Sequence, residues 1–472
     1  MRLTTASNMT STPVFYSRGG QVGFTPASLF ADGMVGVWYG PSDLSTLFQD
    51  SAGTTPVTTA GQPVGLMLDK SGNGNHATQA TAAARPTYQT GPARATLDKV
   101  DDRLSVTVPA GGFVGTMVLA TDQGTASYGV TIPAGPYDIG GRGGQYFPGN
   151  AIVGQLIRDG ALSAGDATAT EGYFVEKGAT ASYGAVTSFN NFWRDWSEIT
   201  SFPLIDTSAG TDFKQAWRNC SSLTSFPLID TSSGTDFNNA WFNCNSLTSF
   251  PLIDTSSGTD FYLAWYNCSS LTSFPLIDTS AGTRFSYAWY NCTSLTSFPL
   301  IDTSAGTDFK QAWRNCSSLT SFPLIDTSAG TDFYLAWYNC NSLTSFPLID
   351  TSSGTDFRQA WVGCSSLTSF PLIDTSSGTS FAYAWVACSS LTSFPANAFD
   401  NVSGGNFNGA FTNTALTQTS IDNILVSLVA SGIAAGTRVF DQSGGSAPSS
   451  TGEAAITTLR SRGWTVTVTG GF

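Results

Sequence analysis

Apolar residues recur over residues 201–388 with a beat of 24, and within each beat their spacing changes midway. Phe213, Ala216, Trp217 and Cys220 lie at i, i+3, i+4 and i+7, the spacing of the inward stripe of a short helix. Leu223, Phe226 and Leu228 follow as L-x-x-L-x-L, the spacing of a leucine-rich-repeat strand. Asp230 to Thr235 then reads as a polar turn in which Gly234 supplies positive φ. One such unit cannot bury its Phe, Trp, Leu and Cys alone, so the pattern predicts eight stacked coils. At about 4.8 Å per coil they make a rod on the order of 40 Å long.

Outside the repeats the texture differs. Residues 1–27 are polar and Gly-rich, as in an extended arm. Residues 28–185 alternate short apolar runs with Gly, Pro, Asn and Asp, which predicts a β-sandwich with one helix at 162–177. The array with its degenerate ends spans 186–416. Phe189, Trp193 and Ile199 keep its phase upstream, with Trp196 in the Cys slot, and Phe407, Ala410 and Phe411 continue it downstream after a two-residue insertion. Residues 417–472 predict an α/β cap, with helices at 419–431 and 452–462 and strands at 437–441 and 464–469. The expected fold is mainly β with short helices: a sandwich, a leucine-rich-repeat solenoid and a small α/β cap.

Two stretches resemble known families. Ala216 to Leu228, A-W-x-x-C-S-S-L-T-S-F-P-L, is similar to the BspA-type leucine-rich repeat, with Trp in place of that family's Phe and Pro227 one residue early. The resemblance implies a right-handed solenoid and surface attachment. A proline in every coil removes a ladder donor, so the sheet is expected to break at that column. Gly65 to Thr78, with Arg85-Pro-Thr-Tyr and Val100-Asp-Asp-Arg, resembles the concanavalin A-like or laminin-G-like modules of bacteriophage virion proteins. That implies a scaffold or attachment role on a particle.

Composition narrows the candidate chemistry. A net charge of −13 with no basic tract argues against nucleic acid. No run of 18 apolar residues predicts a membrane span, and residues 1–12 do not read as a signal peptide. The single histidine, His76, sits in a Gly/Asn turn, and the Gly140-Gly-Arg-Gly-Gly run lacks the Lys of a phosphate loop. No catalytic, cofactor or metal site is expected. Cys220, Cys244, Cys268, Cys292, Cys316, Cys340, Cys364 and Cys388 form a ladder, read as free structural thiols with bridged pairs as the alternative. Asp206, Asp230, Asp254, Asp278, Asp302, Asp326, Asp350 and Asp374 form another. At about 5 Å spacing adjacent carboxylates repel by roughly 1 kcal/mol, offset either by turn N–H groups or by a bridging cation such as Ca²⁺.

Where the repeats disagree is more informative. Three positions vary widely: Lys214-Gln215-Arg218, Asn238, Asn239 and Phe242, Tyr262, Leu263 and Tyr266, Ser286, Tyr287 and Tyr290, Lys310, Gln311 and Arg314, Tyr334, Leu335 and Tyr338, Arg358, Gln359 and Val362, and Ala382, Tyr383 and Val386; at i, i+1 and i+4 of the expected helix they would share one exposed face. Thr224, Ser225, Thr207 and Ser208 head columns that read as exposed yet do not vary, which favours a binding face for the three over drift or lateral packing within an assembly. The variable set is rich in Tyr, Arg, Asn and Gln, the amphipathic types of recognition surfaces.

The leading expectation is a non-enzymatic bacteriophage tail fibre or receptor-binding appendage. Its N-terminal region would meet other virion proteins, and its rod a host glycan or protein receptor, with homo-oligomers allowed. A head or tail decoration protein, a cellular surface adhesin and an ice-binding rod are the alternatives.

Overall fold

The computed structural model describes residues 24–472 except 32, 98–102, 124, 140–150, 178, 180–181, 403, 432 and 434–437. Most of the expected arm, the acidic pair at 101–102 and the glycine run at 140–144 lie outside the described residues.

The N-terminal part contains β1 (Gly36–Tyr39), β2 (Leu47–Phe48), β3 (Leu66–Met67), β4 (Ala77–Thr78), β5 (Thr87–Gln89), β6 (Arg94–Thr96), β7 (Leu104–Val108), β8 (Phe113–Thr121), β9 (Thr125–Ile132), β10 (Gly135–Ile139) and β11 (Ala151–Asp159). Helix α1 (Ala164–Glu176) and strand β12 (Ile199–Ser201) follow. One sheet runs β12-β9-β8-β11-β6-β5, with β1 also on β11, and a second runs β10-β7-β4-β3-β2. In β7, Leu104, Val106 and Val108 are buried while Ser105 and Thr107 are not, the period of two that points one face inward. They share a core with Met117, Leu119, Tyr128 and Val130 of the other sheet. Helix α1 covers the opposite face of β8, where Phe174 packs with Val118, Ala120 and Trp38.

In the repeats the expected helix is replaced by two consecutive reverse turns. Ala216 N–H donates to the Phe213 carbonyl (3.0 Å) and Cys220 N–H to the Trp217 carbonyl (3.2 Å). The third residue of each turn, Gln215 and Asn219, has φ of 56° and 61°, which an α-helix cannot contain. The alternate N–H groups leave the coil: those of Phe213, Gln215, Trp217 and Asn219 donate to the carbonyls of Asp236, Asn238, Ala240 and Phe242 at 2.7–2.9 Å. Two four-residue turns place Phe and Trp four apart, and Ala and Cys four apart. A period of four is close enough to 3.6 to be mistaken for a helix over two turns.

Stacking then follows from the repeat length. Successive Trp rings lie parallel at 5.3–5.6 Å from Trp217 to Trp385. Phe226 meets Trp217 edge-on at 4.8 Å and Trp241 at 5.5 Å, so it locks two coils together. Phe213, Ala216, Trp217, Cys220, Leu223 and Phe226 are all buried, as are their equivalents in later coils.

Three expectations need correction. Leu228 is not in the core: it is 62% exposed, and Ile229 turns inward instead. The proline does break the strand, because Ile229 N–H folds back to the Pro227 carbonyl (3.0 Å), and that side of adjacent coils is tied by sparse rungs such as Thr248 N–H to the Thr224 carbonyl (3.2 Å). Gly234 is not needed for positive φ. A Cβ there would stand 2.7 Å from Phe237 Cζ and 2.9 Å from Phe213 Cε2, so the glycine admits the Phe stack. Thr207 is buried, not exposed, and its hydroxyl donates to the Asp230 carbonyl of the next coil.

Both ends of the stack are covered. Upstream, β12 pairs with β9 of the sandwich while Ser201 bridges Ser225, so one strand serves sheet and coil. Trp193 donates its indole N–H to Tyr128 Oη at 3.1 Å, and Tyr128 packs edge-on against Trp196. Downstream, β13 (Phe407–Phe411) continues the ladder, where a further helical stripe was expected, and Phe407 and Phe411 stack on Phe381 and Trp385 at 5.0 and 4.9 Å. The cap adds α2 (Gln418–Ala430), β14 (Arg438–Gln442), α3 (Ser450–Ser461) and β15 (Trp464–Thr467), with β13-β14-β15 parallel. Ser420 and Ser427 of α2 accept the N–H groups of Phe394 (3.0 Å) and Phe399 (2.7 Å), which have no further coil to bond.

The eight indole N–H groups from Trp217 to Trp385 have no hydrogen-bond acceptor among the described residues. A buried unpaired donor costs about 1–3 kcal/mol, which offsets part of the benefit of the larger ring. Trp289→Phe should therefore destabilise by less than about 1.5 kcal/mol, against about 3–5 kcal/mol for Trp289→Ala. Chemical unfolding of the two variants checks this, and equal losses would contradict it.

Candidate functional site

The three variable positions come together, on turns and not on a helix. Positions such as 214 and 215 are the two central residues of the first turn, and 218 is the second residue of the next. In most coils the first turn is pinned by the aspartate directly before it: Asp212, Asp260 and Asp332 accept the N–H groups of Lys214 (3.0 Å), Tyr262 (2.8 Å) and Tyr334 (2.9 Å). These half-buried carboxylates escaped the sequence reading. The signal was a column of Asp broken inside the array only by Arg284 and Ser380. Arg284 bonds Asp260 at 3.4 Å and lies 3.8 Å over the Tyr262 ring.

The variable side chains contact one another from coil to coil. Phe242, Tyr266 and Tyr290 stack in parallel at 4.6 and 4.5 Å. Arg218 covers Phe242 at 4.7 Å, and Arg314 lies between Tyr290 (5.4 Å) and Tyr338 (4.7 Å). Gln311 donates to Tyr287 Oη at 2.8 Å and accepts from Arg314 at 2.9 Å. Of the expected contact residues, Arg358 and Tyr383 are exposed; Asn239, Ser286, Gln311, Leu335 and Ala382 are buried; the others are half-buried.

The stack of long side chains stops at Tyr338, because Val362 and Val386 take the next two places in that column. Beyond it opens a shallow hollow of about 270 Å³, lined by Arg314, Tyr334, Leu335, Tyr338, Gln359, Val362, Tyr383 and Val386. Every one of these residues belongs to the variable set.

Backbone conformation bears on why these residues are there. The column from Gln215 to Tyr383 has φ of 55–60°, yet it contains Leu263, Tyr287, Leu335 and Tyr383. Left-handed backbone costs most side chains roughly 1–2 kcal/mol, and Asn or Gly would avoid it. The neighbouring left-handed column does use Asn, from Asn219 to Asn339. Its amides bond in series: Asn219 to Asp195 at 2.6 Å, then Asn243 to Asn219 and Asn267 to Asn243 at 3.0 Å each. This asparagine ladder was also missed, although the αL preference of Asn was available as a clue.

The remaining candidates are structural. All eight cysteines are free and buried, each thiol donating to a tryptophan carbonyl, as Cys244 does to Trp217 at 3.2 Å. Burial pushes the thiols of Cys316 and Cys364 up to about 12. Asp230 and its equivalents close their own turns, accepting Ser232 N–H (3.0 Å) and Oγ–H (2.7 Å). In the 65–78 stretch, buried Asp69 accepts the N–H groups of Trp38 (2.9 Å), Ser71 (2.9 Å) and Asn75 (3.1 Å), which fixes the loop on β1. His76 Nδ1 accepts Asp69 N–H at 3.1 Å. Among the described residues no helix is long and apolar enough to cross a membrane. No protein-family model matches the chain, and no curated protein matches it.

Two classes of carboxylate make opposite contributions with pH. Burial, then the neighbouring aspartates, raises Asp236 and Asp332. Their folded forms bind protons that the unfolded chain does not, so they favour folding as pH falls through the window above the ordinary carboxylate range. Hydrogen bonds from Ser280 and Ser352 hold Asp278 and Asp350 low, and that stability is lost only at lower pH. Thermal stability should thus peak in mild acid. Asp236→Asn with Asp332→Asn should flatten the rise from neutral pH, which a series of melting curves would test.

Proposed function

We propose that this chain is a non-enzymatic adhesin, a bacteriophage tail fibre or comparable receptor-binding appendage, with its repeats forming a leucine-rich-repeat-type solenoid. The observation that carries the reading is the hollow: its lining comes wholly from the positions that differ between coils, on a stack that is otherwise nearly invariant. The left-handed column supports it, since Leu263, Tyr287 and Tyr383 stand on backbone that Asn or Gly would adopt at lower cost.

The chemistry of the hollow suits a surface glycan. Tyr338 and Tyr383 bring aromatic surface to a sugar, and Arg314 and Gln359 bring donors and an acceptor to its hydroxyls. A protein receptor would meet the same side chains through hydrogen bonds and aromatic contacts. The virion setting rests on the resemblance of residues 65–78 to phage modules, with the sandwich as the attachment end.

Particles assembled with a chain lacking residues 186–472 should form and fail to adsorb to the host. Tyr338→Ala with Tyr383→Ala should lower adsorption at least tenfold in the full chain while leaving its melting temperature within a few degrees. Normal adsorption by either would overturn the reading.

A further inference from the structure

The face made by the Pro-Leu segments is unlike the rest of the surface. Leu204, Leu228 and the leucines every 24 residues to Leu372 are 50–73% exposed, one per coil, in a continuous column, a ribbon of leucine. It ends where Ala396 takes the next place. At roughly 110 Å² each, these eight leucines expose on the order of 900 Å² of apolar surface. That exceeds the about 300–600 Å² of the largest patch on a typical monomer and matches the about 800 Å² per partner of a standard interface. Unlike the variable face, the ribbon does not change from Leu204 to Leu372.

We propose that the ribbon is a self-association surface, on which two copies of this chain lie side by side in parallel. A ladder of identical leucines at the coil spacing is matched rung for rung by a second array of the same period. Burying it supplies apolar area without any specific side-chain code.

The flanks select the direction. Across each coil the exposed order is Thr224 and Ser225, then Leu228, then Asp230. With a two-fold axis along the rods, each Asp column faces the partner's Thr/Ser column, where the Ser225 hydroxyls can donate to carboxylates while the Thr224 hydroxyls stay on the Thr carbonyls of the preceding coil. With the axis across the rods, Asp column would face Asp column, and like charges along the whole length would repel. The parallel pair also puts both N-terminal parts at one end.

Sedimentation of the full chain at tens of micromolar should give twice the mass of one chain. Leu252→Ser, Leu276→Ser and Leu300→Ser combined should halve that mass, with the far-ultraviolet spectrum unchanged because these side chains lie outside the core. An independent test of direction is Leu228→Cys: mild oxidation should link L228C to itself, whereas an antiparallel pair would bring Leu228 near Leu348. The native thiols are buried and do not compete. A single-chain mass for the unaltered protein overturns the proposal, and so does an L228C pair that does not crosslink.

Discussion

Every coil depends on giving its alternate N–H groups to the next. Because Phe213, Gln215, Trp217 and Asn219 donate outward to carbonyls 23 residues later, the turns are satisfied only when a coil of equal length lies against them. That constraint explains the strict 24-residue beat. One inserted residue would shift every later donor off its acceptor and every ring off its stack. The caps answer the same constraint: β13 continues the ladder, and the hydroxyls of Ser420 and Ser427 stand in for a missing coil.

Within that frame the side chains separate by duty. Phe, Trp, Cys and Leu fill the interior, glycine makes room for the Phe stack, and Thr207 and its equivalents tie coils through hydroxyls. Asp230 and Asp212 close turns at different corners. The positions at 214, 215 and 218 are free of these duties, and there the coils differ. A rigid ladder presenting a changing set of Tyr, Arg and Gln holds adaptable contacts at low entropic cost.

Much of this was legible in the residues. The period, the buried stripe and the capping elements near 417–472 follow from spacing, whereas the variable positions, expected on one exposed helix face, are mostly buried or half-buried on turns. The local conformation did not. A spacing of i, i+3, i+4 and i+7 fits a helix as well as two four-residue turns, and only the left-handed tendency of Asn219 and its successors distinguished them. Leu228 was placed inside because L-x-x-L-x-L assumes an unbroken strand, whereas Pro227 turns the chain so that Ile229 enters the core. The hollow was not legible either, because it depends on two valines ending a stack of longer side chains.

In the proposed function, recognition resides in the differences between coils and not in the stack itself. The most direct measurement replaces the variable triplets of all eight coils with those of one, Lys214, Gln215 and Arg218, and compares adsorption and melting with the unaltered chain. The expected result is a folded array that no longer binds the host. Adsorption at the original level by the homogenised array would contradict it.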